Sequence, residues 1–221
     1  MTRFPECGRV KSRLQPALTP QQSADVHRIL LRHMARRLDG LDPAELVICF
    51  DPPDAGPSMR DLLSDVCSAT YLAQSPGDLG VRIAAAAKVV GELHRRIVFI
   101  TVDSPDVPLD HLERAAELTD RVAVSLGPTD DGGYWSLGLW NEIDAGALLN
   151  GIAWSTDRVA RQTLQQAEAL GYSTATAPAW DDIDRPADLR RLGSRLKQSR
   201  DLEHQRLHEA LASCVPVEWL T

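Results

Sequence analysis

The sequence predicts an α/β fold of three layers, helices on both faces of a mostly parallel sheet. Three observations predict it. Short apolar segments alternate with amphipathic helical segments along most of the chain, the pattern of repeated strand–helix units. IVFITV (97–102) is a continuous apolar run of the kind buried on both faces of a parallel sheet. With 221 residues, 43% of them apolar and 25% charged, the chain can bury a core that needs no covalent staples.

The elements follow in order. Thr19-Pro20-Gln21-Gln22 opens a helix, with Thr19 as cap, Pro20 at the first helical position and Gln22 closing a capping box. Val26, Ile29, Leu30, Met34 and Leu38 continue it at helical spacing, and Gly40 ends it. LVICF (46–50) is a buried strand, Met59 to Val66 a short helix, and ATYLA (69–73) a second strand. Leu79, Ile83, Ala86, Ala87 and Val90 share one face of a helix running to Leu93. After IVFITV come a helix from Leu109 to Leu118 and two strands, VAVSL (122–126) and YWSLGLW (134–140). Ser155 or Thr156 caps a helix that runs to about Leu170 and closes at Gly171. Ser173 to Ala177 is a strand, and Pro186 to Leu196 a helix. Residues 1–197 read as one domain and 198–221 as a helical extension. The extension turns apolar in HEALASCVPVEWL, and Trp219 and Leu220 near its end suggest a homo-oligomer contact.

The net charge of −7 argues against a nucleic acid polymer as partner, since such binders present a basic face. Cys7, Cys49, Cys67 and Cys214 lie far apart, so neither a zinc site nor a disulfide framework is indicated; Cys49 and Cys67 read as small buried hydrophobes. No apolar run reaches membrane-spanning length and the N-terminus lacks a signal-peptide core, so a cytoplasmic location is expected. Among the six histidines, His204 and His208 alone stand at i, i+4, and they read as surface residues.

In open parallel sheets ligands bind beyond the carboxyl ends of the strands. IVFITV runs into Asp103-Ser104-Pro105-Asp106-Val107-Pro108, whose prolines stiffen the loop. By itself Asp103 stands open between a helix cap and a ligand of Mg²⁺ or Mn²⁺. GRVKSRL (8–14) places Arg9, Lys11 and Arg13 beside Gly8, able to cradle phosphates, although a solvated basic run is the plainer reading of those residues alone. GDLG (77–80) followed by Arg82 is a turn into a helix N-terminus, where backbone N–H groups could meet a ligand. GPTDDGGYW (127–135) is either an Asp-Gly turn or a close-approach loop in which Asp131 orients an acceptor. WDDIDRPADL (180–189) offers Asp181, Asp182 and Asp184 before a helix, more acids than one cap needs.

Taken together these segments resemble a bacterial family of glycosyltransferase-A type, often labelled arsenosugar-biosynthesis-type glycosyltransferases and formerly a domain of unknown function. The family's K-x-P-x-P-G-x-V-K-T-R-L is matched by R-F-P-E-C-G-R-V-K-S-R-L at 3–14, and its G-D-L-G-x-R by Gly77 to Arg82. Its D-x-P is matched at Asp103, its G-P-x-x-D-G-G-Y-Y-x-x-G-L at Gly127 to Leu139, its G-I-x-W-S-T at Gly151 to Thr156, and its D-I-D-T-P-E-D-L at Asp182 to Leu189. Six motifs in one order are far more specific than any one of them.

The resemblance implies the nucleotide-diphospho-sugar transferase fold and a nucleotide or nucleotide-sugar substrate. Gly8, Arg9, Lys11, Arg13, Gly77, Asp78, Arg82 and Asp103 would then bind the nucleotide, and Asp103 and Asp184 a Mg²⁺ or Mn²⁺. Asp131, Gly132, Gly133, Trp154, Ser155 and Thr156 would line the acceptor side, with Asp131 and Lys11 as catalytic groups. The departures are Cys7 for proline, Ser12 and Arg185 for threonine, and the lack of the apolar strand that precedes the basic loop in similar proteins. That strand is therefore expected to be missing or truncated, from a mis-assigned start or a shortened chain. Three activities compete: glycosyl transfer from a nucleotide sugar, nucleotidyl transfer to a phosphorylated small molecule as in the similar guanylyltransferases of cofactor biosynthesis, and non-catalytic nucleotide binding.

Overall fold

The computed structural model describes residues 1–15, 17–42 and 44–220. In chain order the elements are β1 (Thr2–Arg3), α1 (Pro20–Asp39), β2 (Val47–Asp51), α2 (Gly56–Leu63), β3 (Thr70–Ala73), α3 (Leu79–Gly91), β4 (Arg96–Ile100), α4 (Leu109–Leu118), β5 (Val124–Pro128), β6 (Tyr134–Trp140), α5 (Ala145–Leu149), α6 (Val159–Ala169), β7 (Thr174–Thr176), α7 (Pro186–Gln198) and α8 (Leu202–Ala212). They form two compact units. One comprises Met1, Leu72–Thr101 and Val107–Asp181; the other comprises Thr2–Tyr71, Val102–Asp106 and the C-terminal segment from Asp182.

The second unit carries strands in the order β1-β2-β3. The basic loop does have a strand before it. Thr2 and Arg3 pair in parallel with Phe50 and Asp51 of β2, so the expected first strand is present as a two-residue stub. Helix α1 begins with the expected reciprocal cap: Gln22 N–H donates to Thr19 Oγ1 at 3.1 Å, and Thr19 N–H to Gln22 Oε1 at 2.9 Å. Its apolar face, through Val26 and Leu30, joins Leu14, Leu18, Ile183, Leu189, Leu192 and Leu196 in one buried cluster. The C-terminal segment completes that cluster. Leu207, Leu211, Trp219 and Leu220 are buried in it, and the Arg190 guanidinium lies 4.7 Å from the centre of the Trp219 ring. Trp219 and Leu220, which suggested an oligomer contact, thus serve the core of their own unit.

The first unit carries the order β4-β6-β5-β7. β6 is antiparallel to both β4 and β5, while β7 is parallel to β5, so three of the four strands share one direction. The reversal of β6 follows from chain length: the loop from Pro128 to Tyr134 is too short for the crossover that a parallel neighbour requires. Val124, Leu126, Leu137 and Leu139 of this sheet pack with Ile83, Ala87, Leu148, Leu149 and Ala167.

Some boundaries move. α2 starts at Gly56, three residues before the expected Met59, because Pro57 suits a first helical turn. β4 stops at Ile100, so Thr101 and Val102 already belong to the loop leading to Asp103. β5 is shifted to Val124–Pro128, and α5 falls where no element was expected. α6 begins at Val159, and neither Ser155 nor Thr156 caps it. Those residues instead form a separate turn, in which Thr156 Oγ1 donates to the Ala153 carbonyl at 2.7 Å and Ser155 adopts φ 63°. His204 and His208 are half-buried rather than surface residues, held by Ser199 Oγ at 2.9 Å and the Leu220 carbonyl at 3.0 Å. Among the described residues no helix is long and apolar enough to cross a membrane.

Candidate functional site

The basic loop is anchored on both sides of its cations. Val10 and Leu14 are buried, and the N–H of Phe4 donates to the Asp51 carbonyl at 2.8 Å, tying the loop's start to β2. Gly8 takes φ 80° and Lys11 φ 49°. For lysine this left-handed conformation costs about 1–2 kcal/mol, so the surrounding structure holds it in place. The twist buries the Lys11 side chain, which is only 5% exposed. Its ammonium donates to the Ile183 carbonyl and lies 2.8 Å from Asp103 Oδ1.

Asp103 and Asp184 reach the same place through the backbone. The N–H of Ile183 donates to the Asp103 carbonyl at 2.7 Å, which sets the loop after β4 beside the segment that opens α7. Asp184 pairs with Arg13 in an exposed ion pair. Two predicted metal carboxylates are therefore each matched to a predicted phosphate cation, Asp103 to Lys11 and Asp184 to Arg13. The cap of α7 is supplied by Asp188, not by Asp181, Asp182 or Asp184: its Oδ2 accepts from the N–H groups of Asp184 at 3.1 Å and Arg185 at 2.6 Å. Arg9 is exposed and turned to Glu6 at 3.2 Å, away from the acids.

Beneath this arrangement lies a polar layer that sequence reading missed. His27 is buried, and its Nε2 lies 3.0 Å from the Arg3 carbonyl and 3.3 Å from Thr2 Oγ1. A carbonyl only accepts, so Nε2 carries the proton. Burial lowers the His27 pKa, Asp103 opposes that shift and Lys11 adds to it. His33 Nε2 donates to the Pro105 carbonyl at 3.0 Å, and Arg37 Nη1 donates to the same oxygen at 2.7 Å. Burial and the neighbouring Arg37 charge push His33 down to about 4. Arg195 grips Asp106 with two donors, at 2.5 and 3.2 Å. One signal for α1 was available: His27 and His33 share the helical face of Val26, Leu30 and Met34.

The other predicted residues lie in the first unit, each in a local arrangement. Asp78 caps α3, accepting from Val81 N–H at 2.9 Å, and Arg82 folds back to the Gly77 carbonyl at 2.9 Å and Gln74 Oε1 at 3.2 Å. Gly80 admits the Trp154 indole, because a Cβ there would meet the ring at 2.9 Å. Asp131 Oδ1 accepts from Thr129 Oγ1 at 2.6 Å and from Gly133 N–H at 2.9 Å, so an exposed carboxylate is held in fixed orientation. Gly132, at φ 87°, lets the loop pass against the Asp157 backbone, and its carbonyl accepts from Ala160 N–H at 2.9 Å. The G-D-L-G and G-I-x-W-S-T motifs thus meet at Gly80 and Trp154, and the G-G turn seats beside the start of α6.

Among the described residues no three His, Cys, Asp or Glu side chains form a metal-holding cluster. A cavity of about 300 Å³, lined by Arg95, Arg96, Thr119, Asp120, Trp140, Asn141 and Glu142, lies at the amino end of β4 and contains none of the predicted site residues.

Alternating strands and helices, one reversed strand, and a strand-end acid facing a glycine-basic loop define a nucleotide-diphospho-sugar transferase fold. The chain superimposes on a Desulfovibrio desulfuricans G20 protein provisionally assigned as a nucleotide-diphospho-sugar transferase, with a TM-score of 0.83 and 26% identity over 96% of this chain and 94% of that one. The chain belongs to the bacterial DUF2064 family, described as an uncharacterized protein conserved in bacteria, which it matches over residues 16–156. More distant likeness, of fold alone, extends to a cytidylyltransferase of Leptospira borgpetersenii serovar Hardjo-bovis (TM-score 0.58, 16% identity, 96% and 91% covered). It extends also to the inositol-1-phosphate CTP transferase of T. maritima (TM-score 0.55, 14% identity, 97% and 96% covered). No curated protein matches the chain by sequence.

Proposed function

We propose that this protein is a nucleotide-utilising transferase, and specifically a metal-dependent glycosyltransferase that takes its sugar from a nucleotide-sugar donor. The observation that carries the reading is the double pairing of Lys11 with Asp103 and Arg13 with Asp184, two cations and two carboxylates held together at a strand end. Provisional assignment of the Desulfovibrio protein as a nucleotide-diphospho-sugar transferase supports the choice of donor.

Two carboxylates suit a hard divalent cation in kind, with phosphate oxygens and water as the remaining ligands. Mg²⁺ or Mn²⁺ on Asp103 and Asp184 would neutralise charge developing on the leaving diphosphate. Lys11 enters the site from a buried stem, so its ammonium is pre-oriented toward phosphate oxygens and loses little freedom on binding them. Arg13, on the exposed side, offers a planar fork for a second phosphate. Asp131, fixed by Thr129 and Gly133, orients the acceptor hydroxyl and takes its proton. Asp78 and Arg82 support a turn, and Trp154 to Thr156 line the acceptor side.

The fold-level likeness to two cytidylyl-transferring proteins favours one second reading, nucleotidyl transfer to a phosphorylated acceptor. Thermal-shift titration with Mn²⁺ plus sugar nucleotides or nucleoside triphosphates, on wild type and Asp103→Asn, tests both. The expected result is a rise in melting temperature for wild type that Asp103→Asn largely loses. Equal stabilisation of the two proteins removes Asp103 from the site. Hydrolysis of a bound sugar nucleotide then supports glycosyl transfer, and release of pyrophosphate from a triphosphate with a phosphorylated acceptor supports the second reading.

A further inference from the structure

We propose that Asp106 and Arg195 are positioning residues: the ion pair that the half-buried Arg195 makes with the buried Asp106 carboxylate, together with the hold of His33 and Arg37 on the Pro105 carbonyl, fixes the loop that presents Asp103. The inference rests on the reading of Asp103 as the acid of the nucleotide site.

The loop leaving β4 is poor in donors of its own, since Pro105 and Pro108 lack N–H groups. It is held instead through its acceptors, by side chains from two helices. From α1, His33 and Arg37 both donate to the Pro105 carbonyl, at 3.0 and 2.7 Å. From α7, Arg195 donates twice to Asp106, at 2.5 and 3.2 Å. The backbone N–H of Ile183 adds a third hold, at the Asp103 carbonyl. Three successive parts of the segment 103–106 are thus pinned from outside it.

Asp106 is 3% exposed, so its carboxylate cannot meet a soluble ligand. A buried carboxylate is tolerated only with its oxygens paired, and the two donors of one guanidinium set its orientation as well as its charge. It lies three residues from Asp103, on the loop that places that acid 2.8 Å from Lys11. Partners standing behind a ligating carboxylate govern affinity through geometry, and their loss typically weakens metal binding about 10- to 100-fold. An ion pair that only stabilised the fold would lower the melting temperature and leave ligand affinity of the folded protein unchanged.

The test uses the full chain with Arg195→Met, Arg195→Lys, Asp106→Asn, and the double variant Asp106→Asn/Arg195→Met. The double variant removes both charges of the pair and carries the test if a single variant does not fold. Hydrogen exchange is read at the amides of Asp103, Ser104, Asp106 and Val107. Affinity is read for Mn²⁺ in the presence of ADP, GDP, CDP or UDP, and for each nucleotide without Mn²⁺. Expected are faster exchange at those four amides with the middle of α1 unchanged, and Mn²⁺-dependent affinity weakened about 10- to 100-fold with metal-free affinity unchanged. Arg195→Lys recovers part of both. Unchanged exchange at the four amides, or equal weakening with and without Mn²⁺, overturns the proposal. If wild type binds none of the four nucleotides with Mn²⁺, the reading of Asp103 fails by itself, and exchange alone then decides whether the clamp exists.

Discussion

Lys11 Nζ lies 2.8 Å from Asp103 Oδ1, with the lysine side chain 5% exposed and the aspartate 37% exposed. A buried cation therefore stands where, in the proposed reaction, a divalent metal shares the same carboxylate. Lys11 also donates to the Ile183 carbonyl, so it keeps one partner if Asp103 turns to the metal. Phosphate would draw Lys11 and Arg13 toward the nucleotide and leave the acids to the metal. Metal and nucleotide should then each strengthen the binding of the other, by the reciprocity of linked equilibria.

Lys11→Met tests that coupling. Without the ammonium, the carboxylates should take Mn²⁺ in the absence of nucleotide about tenfold more tightly than in wild type, equivalent to about 1.4 kcal/mol. Nucleoside diphosphate binding should weaken in the same variant. Titration calorimetry of Mn²⁺ alone, nucleotide alone and the two together measures both effects. Mn²⁺ affinity unaltered by Lys11→Met would show that the pair does not guard the acids.

Arg13 and Asp184 form an exposed pair, with side chains 57% and 33% accessible. Solvent screening limits its value to stability to about 0–1 kcal/mol. Arg13→Ala should therefore leave the denaturation midpoint almost unmoved while weakening nucleotide affinity about tenfold, since a bidentate phosphate contact is lost. Chemical denaturation beside a nucleotide titration separates the two. A large fall in stability with unchanged affinity would assign Arg13 to the fold.

Acid should destabilise the protein through His33. Its pKa is pushed down to about 4, mainly by burial, from 6.5 in an exposed chain. Between those values the unfolded chain binds a proton that the folded chain refuses, so stability falls as pH drops from about 6.5 to about 4 and is fully present above 6.5. The loss is on the order of 3 kcal/mol at most. His27 is shifted the same way by burial and adds to it. His33→Gln keeps a donor for the Pro105 carbonyl and removes the titration. Denaturation at pH 7.5 and 4.5 should show a smaller loss in that variant, and an equal loss in both proteins would count against the assignment.

The acceptor loop gives a contrast between two neighbouring positions. A Cβ on Gly132 would sit 2.1 Å from the Asp157 carbonyl oxygen, at φ 87°. Gly132→Ala should cost about 2 kcal/mol or more, because backbone must move and the conformation is strained. Asp131→Asn keeps an oxygen for Thr129 and Gly133, so folding should be unaltered while kcat falls about 10²- to 10⁴-fold, the range for loss of a general base. Melting curves and turnover on the same preparations check the pair. An active Asp131→Asn enzyme would remove that residue from the chemistry.

Much of this molecule is written locally. The Thr19–Gln22 cap, the apolar periods of α1 and α3, and the run that becomes β4 needed only neighbouring residues, because capping and periodicity act within a few positions. The candidate site is legible as motifs: Lys11, Arg13, Asp103 and Asp184 each stand in one, and the family resemblance implies the last two as metal ligands. Tertiary structure decided which cation meets which acid, since residues up to 172 positions apart are joined by one backbone hydrogen bond, one side-chain-to-backbone hydrogen bond and two ion pairs. It also decided that Thr2 and Arg3 form a strand stub, which pairing with β2 makes and no local run of apolar residues announces. Of the clamp, the place of His33 on the apolar face of α1 alone has a local signal; the meeting of His33, Arg37, Asp106 and Arg195 around one loop does not, because burial of a charged side chain depends on partners that only the folded chain brings within reach.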